Sequence, residues 1–344
     1  PASTTISGNV DTDAGGQLIT GSDVKVDGYI AAWSQGSVRL GSDNQVTGEL
    51  LVTRGQLDMG SNVVIDGPVR VNQAQFFSGD NVVLNSGFEA LQSDVSFTSA
   101  GSNIKGYIRI ADHSRLTVSN GFTTEEAVAC VRSSIRLDDG TNFSPGVSAE
   151  AFTLNQCELF AGLNSQIGGS LFVENSSTVN LDNSSTLNGD ISLQDSTLSL
   201  SDGVSLNGAV SSNATSLYFG GVGTTISGPV QLLANSETYI GPGPVFSEPL
   251  DCQDSSITFE NTSFGSGILS PVLNSYRNCT LNIGDNVVIN GDIQLGKGAS
   301  LDIRGTAQIN GDLNLSGARL GMEFGAVING SLFANEFSTL KIGR

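Results

Sequence analysis

The chain is short of charge, and the charge it has is mostly of one sign. Of its 344 residues only 14% are charged, with Lys+Arg 15 against Asp+Glu 34 and a net charge of −19. A surface that reads phosphate needs the opposite sign, which argues against nucleic acid as a partner. Such acidity favours solubility and attracts cations. There is a single Trp and a single His. No run of about 18 apolar residues occurs, so no segment reads as a membrane span. The first residue is Pro1 rather than Met, as in a matured or trimmed chain, and a removed signal peptide would leave the same appearance.

What is abundant is Gly, 43 residues, and it recurs inside a phrase. The phrase is apolar-x-Gly-x-apolar: "ISGNV" at 6–10, "VDGYI" at 26–30, "VTGEL" at 46–50, and later "INGDI" at 289–293, "INGDL" at 309–313 and "INGSL" at 328–332. Degenerate copies include 84–88, 143–147, 167–171, 246–250 and 264–268. Usually eight residues earlier stands an apolar-x-apolar phrase, such as Val38-Arg39-Leu40, Leu57-Asp58-Met59 and Leu301-Asp302-Ile303. From Leu18 to Leu340 these anchors advance with a mean near 20 residues. Alternation with period two predicts strands, and Gly, Asn, Asp and Ser between them predict tight turns. Short strands repeating at one period along the whole chain predict an all-β fold, a single-stranded parallel β-solenoid of about 17 coils of about 20 residues, as one continuous body over 1–344. The Gly of the phrase is expected at a bend where a side chain would clash. The competing fold, an antiparallel sandwich, predicts hairpins and no fixed register.

A larger repeat lies above the coil. From Leu57 the anchor steps run 19, 19, 21, 19, 24 and 20, and from Val179 the same series recurs, so six coils are duplicated as 57–178 and 179–300. Cys130 and Cys252 are 122 residues apart, as are Cys157 and Cys279. Neighbouring coils lie about 4.8 Å apart, and a disulfide needs Cα atoms within about 7 Å. Only Cys130–Cys157 and Cys252–Cys279 join neighbouring coils, so these are the expected bridges, each stapling a long coil. Four buried free thiols are the alternative. Paired cysteines argue for an oxidising setting, outside the cell or in a periplasm, and the expected location is extracellular or at the cell surface.

Soluble solenoids normally hide their two open edges with a capping helix or polar repeats. Here the first apolar phrase begins at Ile6 and the chain stops just after Leu340-Lys341-Ile342. "STLKIGR" followed by "PASTTISGNV" reads as nearly one normal coil. The ends are therefore expected to be uncapped and complementary, with an assembly interface made of Ile6, Gly8, Val10, Leu18, Ile328, Leu332, Leu340 and Ile342. A head-to-tail contact of this kind gives an open filament unless it closes a ring. Loss of native caps by trimming is the alternative.

Residues 287–332, "VVINGDIQLGKGASLDIRGTAQINGDLNLSGARLGMEFGAVINGSL", resemble the bactofilins, bacterial filament formers built as uncapped, "GDI"-rich β-solenoids. The resemblance implies a nucleotide-independent, head-to-tail polymer. The chain departs from that family in its longer and more numerous coils and its cysteine pairs. Bactofilins are cytoplasmic, so the likeness bears on architecture and polymerisation rather than on location.

Other chemistries would rest on particular residues. A polysaccharide hydrolase or lyase would use Asp138 and Asp139 with Arg136 beside them and His113 about a coil earlier, but these read equally as turn residues. The duplicate block has Glu260-Asn261 at the aspartate pair. Asp292 and Asp312 fall at one position in adjacent coils, about 5 Å apart, and are the candidate Ca²⁺ ligands; Asp190 holds that position alone. Solvated carboxylates are the competing reading. The outward positions Arg39, Asp58, Ser96, Arg136, Asn180 and Tyr218 exclude a Thr ladder of the ice-binding kind. Asn175, Asn183, Asn213 and Asn329 begin glycosylation triplets. Trp33, Tyr218 and Tyr239 either stack on sugars or sit in the core. The reading is an extracellular structural protein, not an enzyme, without cofactor, with itself as partner and each subunit adding about 80 Å to a fibre. The alternative is a cell-surface adhesin or phage-type fibre segment that binds glycans.

Overall fold

The computed structural model describes residues 3–97, 99–143, 152–259 and 268–343. Over these the chain is all β without helix, and its parallel strands stack as a β-solenoid of about 16 turns roughly 20 residues apart. This agrees with the anchors of the sequence, about 17 of them with the turns as the intervals between. The chain divides into two compact units, Pro1–Phe172 and Val173–Arg344, which share one construction. The degenerate phrases at 143–147 and 264–268, and the Glu260-Asn261 pair, fall largely outside the described residues.

One coil of the first unit shows the construction. Gln45–Val46, Leu50–Thr53 and Gln56–Met59 are three short strands separated by tight corners, and they define a first, second and third face. Val46, Leu50, Val52, Leu57 and Met59 point inward and are buried. The residues between them point out, as the two-residue period of a strand requires. Each strand pairs with the strand of the same face in the next coil. On the third face this register runs Val38, Leu57, Phe76, Val95, Leu116, Ile135, Leu159. In the second unit it runs Val179, Leu198, Leu217, Thr238, Ile257, Leu281, Leu301. The unequal steps of 19, 21 and 24 residues thus leave the ladder intact, because the extra residues are taken up between strands. These ladders are parallel, which replaces the sandwich alternative.

Burying one aliphatic or aromatic side chain is worth about 1.5–3 kcal/mol, and each coil contributes several to a core only one side chain deep. The first unit thickens this core with aromatic rings. Phe76, Phe97, Phe122, Phe143 and Phe152 form a spine with successive ring centroids 4.7, 5.1, 5.6 and 4.9 Å apart, and Phe88 joins it edge-on. In the second unit Phe219 and Phe246 meet at 5.6 Å.

The corners differ in what they demand. Between the first and second faces the coils stack backbone on backbone at the Gly of the phrase. A Cβ on Gly28 would lie 2.5 Å from the Gly8 carbonyl oxygen, and one on Gly48 would lie 2.6 Å from the Gly28 carbonyl group. Neither has a positive φ, so close approach alone excludes a side chain there. Between the second and third faces the chain turns through one or two left-handed residues, which are seldom Gly. Arg54, Gln73, Gln92 and Arg132 hold φ of 57°, 52°, 49° and 49° in the first unit, and Asp195, Ala214 and Asp254 hold 47°, 53° and 49° in the second. A left-handed residue costs about 1–2 kcal/mol. Side-chain stacking offsets part of this: Arg54 Nε donates to Gln73 Oε1 at 2.7 Å, and Gln73 Nε2 to Gln92 Oε1 at 2.6 Å.

Candidate functional site

Two disulfides join Cys130 to Cys157, in the first unit, and Cys252 to Cys279, in the second, with Cα atoms 6.1 and 5.9 Å apart. No described cysteine is free. Each bridge runs from an inward position on the second face to the corner residue one coil on. At that corner six coils carry a buried Ser: Ser93, Ser114, Ser177, Ser196, Ser236 and Ser255. Ser114 Oγ accepts from the Ser93 N–H at 3.0 Å and donates to the Ala111 carbonyl at 2.6 Å, so one hydroxyl satisfies a backbone group of its own corner and one of the preceding coil. In the second unit Ser212 and Ser236 occupy the same diagonal as the disulfides, with their hydroxyls 3.2 Å apart. The sequence reading missed this ladder, although the serines stand in register with the cysteines.

The terminal coils leave inward positions open. In the first unit Thr4–Ile6, Val10–Thr12 and Gln17–Ile19 pair with the next coil, as Ile6 with Val26, Val10 with Ile30 and Leu18 with Val38. Ile6, Val10 and Leu18 are half-buried, whereas their three partners are fully buried. A Cβ on Gly8 would have nothing within 4 Å. In the second unit Val327–Ile328, Leu332–Asn335 and Thr339–Ile342 pair with the coil before them. Leu340 and Ile342 are 39% and 63% exposed, where their register partners Leu320 and Met322 are 1% and 8%. Ile328 and Leu332 are half-buried, and Phe324, Phe333 and Phe337 stand exposed on the same coil.

The hydrolase candidates are not brought together. His113 is an exposed left-handed residue at the corner between the second and third faces. Asp138 and Asp139 lie past the other end of the third-face strand Ser134–Leu137. There Asp138 accepts from Ser119 Oγ at 3.0 Å and pairs with Arg136 at 3.5 Å. Asp139 Oδ1 accepts the Leu163 N–H at 2.9 Å. Both carboxylates therefore bind neighbouring coils together.

The aspartates of the "INGD" phrases do similar work. Asp292 Oδ1 accepts the Asp312 N–H at 2.8 Å, Asp312 Oδ1 accepts the Ser331 N–H at 2.8 Å, and Asp190 Oδ1 accepts the Ala209 N–H at 2.9 Å. The Asn of the phrase adds a parallel amide ladder, Asn310 to Asn290 at 2.7 Å and Asn329 to Asn310 at 2.8 Å. Among the described residues no three metal-ligating side chains gather. Of the glycosylation triplets, Asn329 is thus engaged, Asn183 accepts the Asp202 N–H at 3.2 Å, and Asn175 and Asn213 are exposed.

Trp33, Tyr218 and Tyr239 all face solvent. Elsewhere the outer surface carries charge ladders, such as Arg70, Glu89 and Arg109 on the second face of the first unit with Glu49 at the corner before it, linked as alternating ion pairs. Among the described residues no helix is long and apolar enough to cross a membrane. No family model matches the chain, and no curated protein and no solved structure matches it either.

Proposed function

We propose that the protein is an extracellular structural subunit that assembles head to tail, through its terminal coils, into a β-solenoid filament. The observation that carries this reading is the exposure of apolar side chains at inward positions of the terminal coils, where the same register positions one coil further in are buried. An open strand edge above an exposed apolar layer is a template for another coil. In the assembly, Ile328 of one copy stacks on Ile6 of the next, Gly330 on Gly8, Leu332 on Val10 and Leu340 on Leu18, continuing the register of each face. Backbone hydrogen bonds and the apolar stack then run across the joint as they run between coils. The contact is heterologous and propagates. Two disulfides support a site of action outside the reducing cytoplasm.

The test is electron microscopy of the untagged 344-residue chain over a concentration series, beside Gly8→Ala. Wild-type fibres are expected to lengthen with concentration, while Gly8→Ala stays folded and monomeric, because its Cβ meets the Gly330 carbonyl of the preceding copy. Wild-type particles that never lengthen would overturn the proposal, as would Gly8→Ala fibres equal to wild type.

A further inference from the structure

The third face of the second unit carries an aromatic ladder that ends in a notch. Its outward positions run Ser199, Tyr218, Tyr239, Thr258, Asn282 and Asp302 in consecutive register. The Tyr218 and Tyr239 rings stack with centroids 5.3 Å apart and planes 5° from parallel. Rings stacked along the ladder lie across it, so Tyr239 turns one ring face toward the following coils. There the next residue is the short Thr258, and among the described residues no third ring covers that face. The result is a cavity of about 470 Å³ lined by Tyr239, Thr258, Phe259, Asn282, Gly284, Asp285 and Arg304. That volume is within the range of small-ligand sites, roughly 300–1,000 Å³. Asp285 and Arg304 are both exposed, and among the described residues neither side chain has a hydrogen-bond or ion-pair partner.

We infer that this notch is a saccharide subsite that takes a neutral hexopyranose unit of a glycan, the sugar's C–H face against the Tyr239 ring and its hydroxyls on Asn282, Asp285 and Arg304. A flat aromatic face beside convergent polar groups suits a ring that is apolar on its faces and hydroxylated at its rim. The amide and the carboxylate supply acceptors, and the amide and guanidinium supply donors, so each hydroxyl can both give and receive. The sugar is neutral because Asp285 and Arg304 offset one another in the notch, and the chain's net charge of −19 repels a polyanion. The site lies on the side of the coils, and it neither requires nor blocks end-to-end assembly.

The experiment is saturation-transfer NMR and calorimetry on the full chain with cellohexaose, chitohexaose, mannohexaose and laminarihexaose, beside polygalacturonate as the polyanion. At least one neutral hexamer is expected to bind. Tyr239→Ala should weaken it about tenfold, the loss equivalent to about 1.4 kcal/mol, and Tyr239→Phe should keep affinity within about threefold. Arg304→Ala should weaken it several-fold, and Trp33→Ala, in the other unit, should leave it unchanged. These side chains point outward, so circular dichroism should show all four variants folded. Binding of polygalacturonate alone, binding of none of the hexamers, or a Tyr239→Ala variant with wild-type affinity would each overturn the inference. Fibre length under the microscope should be the same for Tyr239→Ala and wild type, which separates this result from the test of assembly.

Discussion

Gly48 and Gly8 occupy the same place in the repeated phrase, yet adding one methyl group to each should have opposite effects on stability. In Gly48→Ala the new Cβ lies 2.6 Å from the Gly28 carbonyl carbon and oxygen and 2.8 Å from the Tyr29 nitrogen. All three are backbone atoms of the preceding coil, so no rotamer relieves the clash. Restoring ordinary contact requires the coils to part by roughly 0.8 Å, enough to break a backbone hydrogen bond. The Gly48 N–H to Gly28 carbonyl and Thr47 N–H to Val26 carbonyl bonds, both 3.0 Å, bracket the contact. Each is worth about 1 kcal/mol net and more where a buried group is left unpaired, so the loss is about 2–3 kcal/mol. Gly8→Ala meets nothing, and Gly8 has no positive φ, so the variant should gain about 0.4–1 kcal/mol through its stiffer unfolded chain. A long array of repeats need not unfold in one step, so the assay is native-state hydrogen exchange on monomeric protein. Amides of Thr47 and Gly48 should exchange roughly 30- to 150-fold faster in Gly48→Ala, the ratio that 2–3 kcal/mol implies. Unchanged exchange in Gly48→Ala, or an equal loss around Gly8, would refute the stacking argument.

Three further outcomes follow from the same geometry. Ser212→Cys with Ser236→Cys should close a third disulfide on oxidation, because their hydroxyls already sit 3.2 Å apart on the diagonal used by Cys252–Cys279; thiol titration and mass spectrometry read it, and the gain should be about 3 kcal/mol. Phe97→Ala, at the meeting point of Phe76, Phe88 and Phe122, should cost about 3–5 kcal/mol by denaturant unfolding, whereas exposed Phe77→Ala should cost little. Asp254 is held below the ordinary carboxylate range, first by its hydrogen bond from Arg277 and then by that from Asn278. A depressed folded-state pKa gives stability above the unfolded pKa that is lost as pH falls through the folded one. NMR titration should therefore show Asp254 protonating below the ordinary carboxylate range, and Arg277→Ala should raise that midpoint.

Much of the fold was legible because a solenoid writes its geometry into a period. Every coil must present the same inward positions to its neighbours, so Val38, Leu57, Phe76 and Val95 recur in phase and could be read as a stack. The cysteine pairing followed for the same reason, since coil spacing leaves Cys130 only Cys157 within reach. The corner chemistry was not legible. Arg54, Gln73 and Gln92 carry no local mark of a left-handed backbone, because what holds them there is the residue one coil away. Ser93 and Ser114 read as generic turn residues, and only the stacked corner shows each hydroxyl bonding two backbone groups. Asp292 and Asp312 looked like a pair of free carboxylates, and the fold spends an oxygen of each on the next coil's N–H.

The amino-acid sequence by itself determined the parallel coil, its length and the register of its core, because inward alternation and coil period are linear properties of the chain. Only the tertiary structure decided which polar side chains are spent between coils and which are free. That division depends on the neighbour some 20 residues away, whose distance sets whether a carboxylate, a hydroxyl or a tyrosine ring meets backbone, another ring or open solvent.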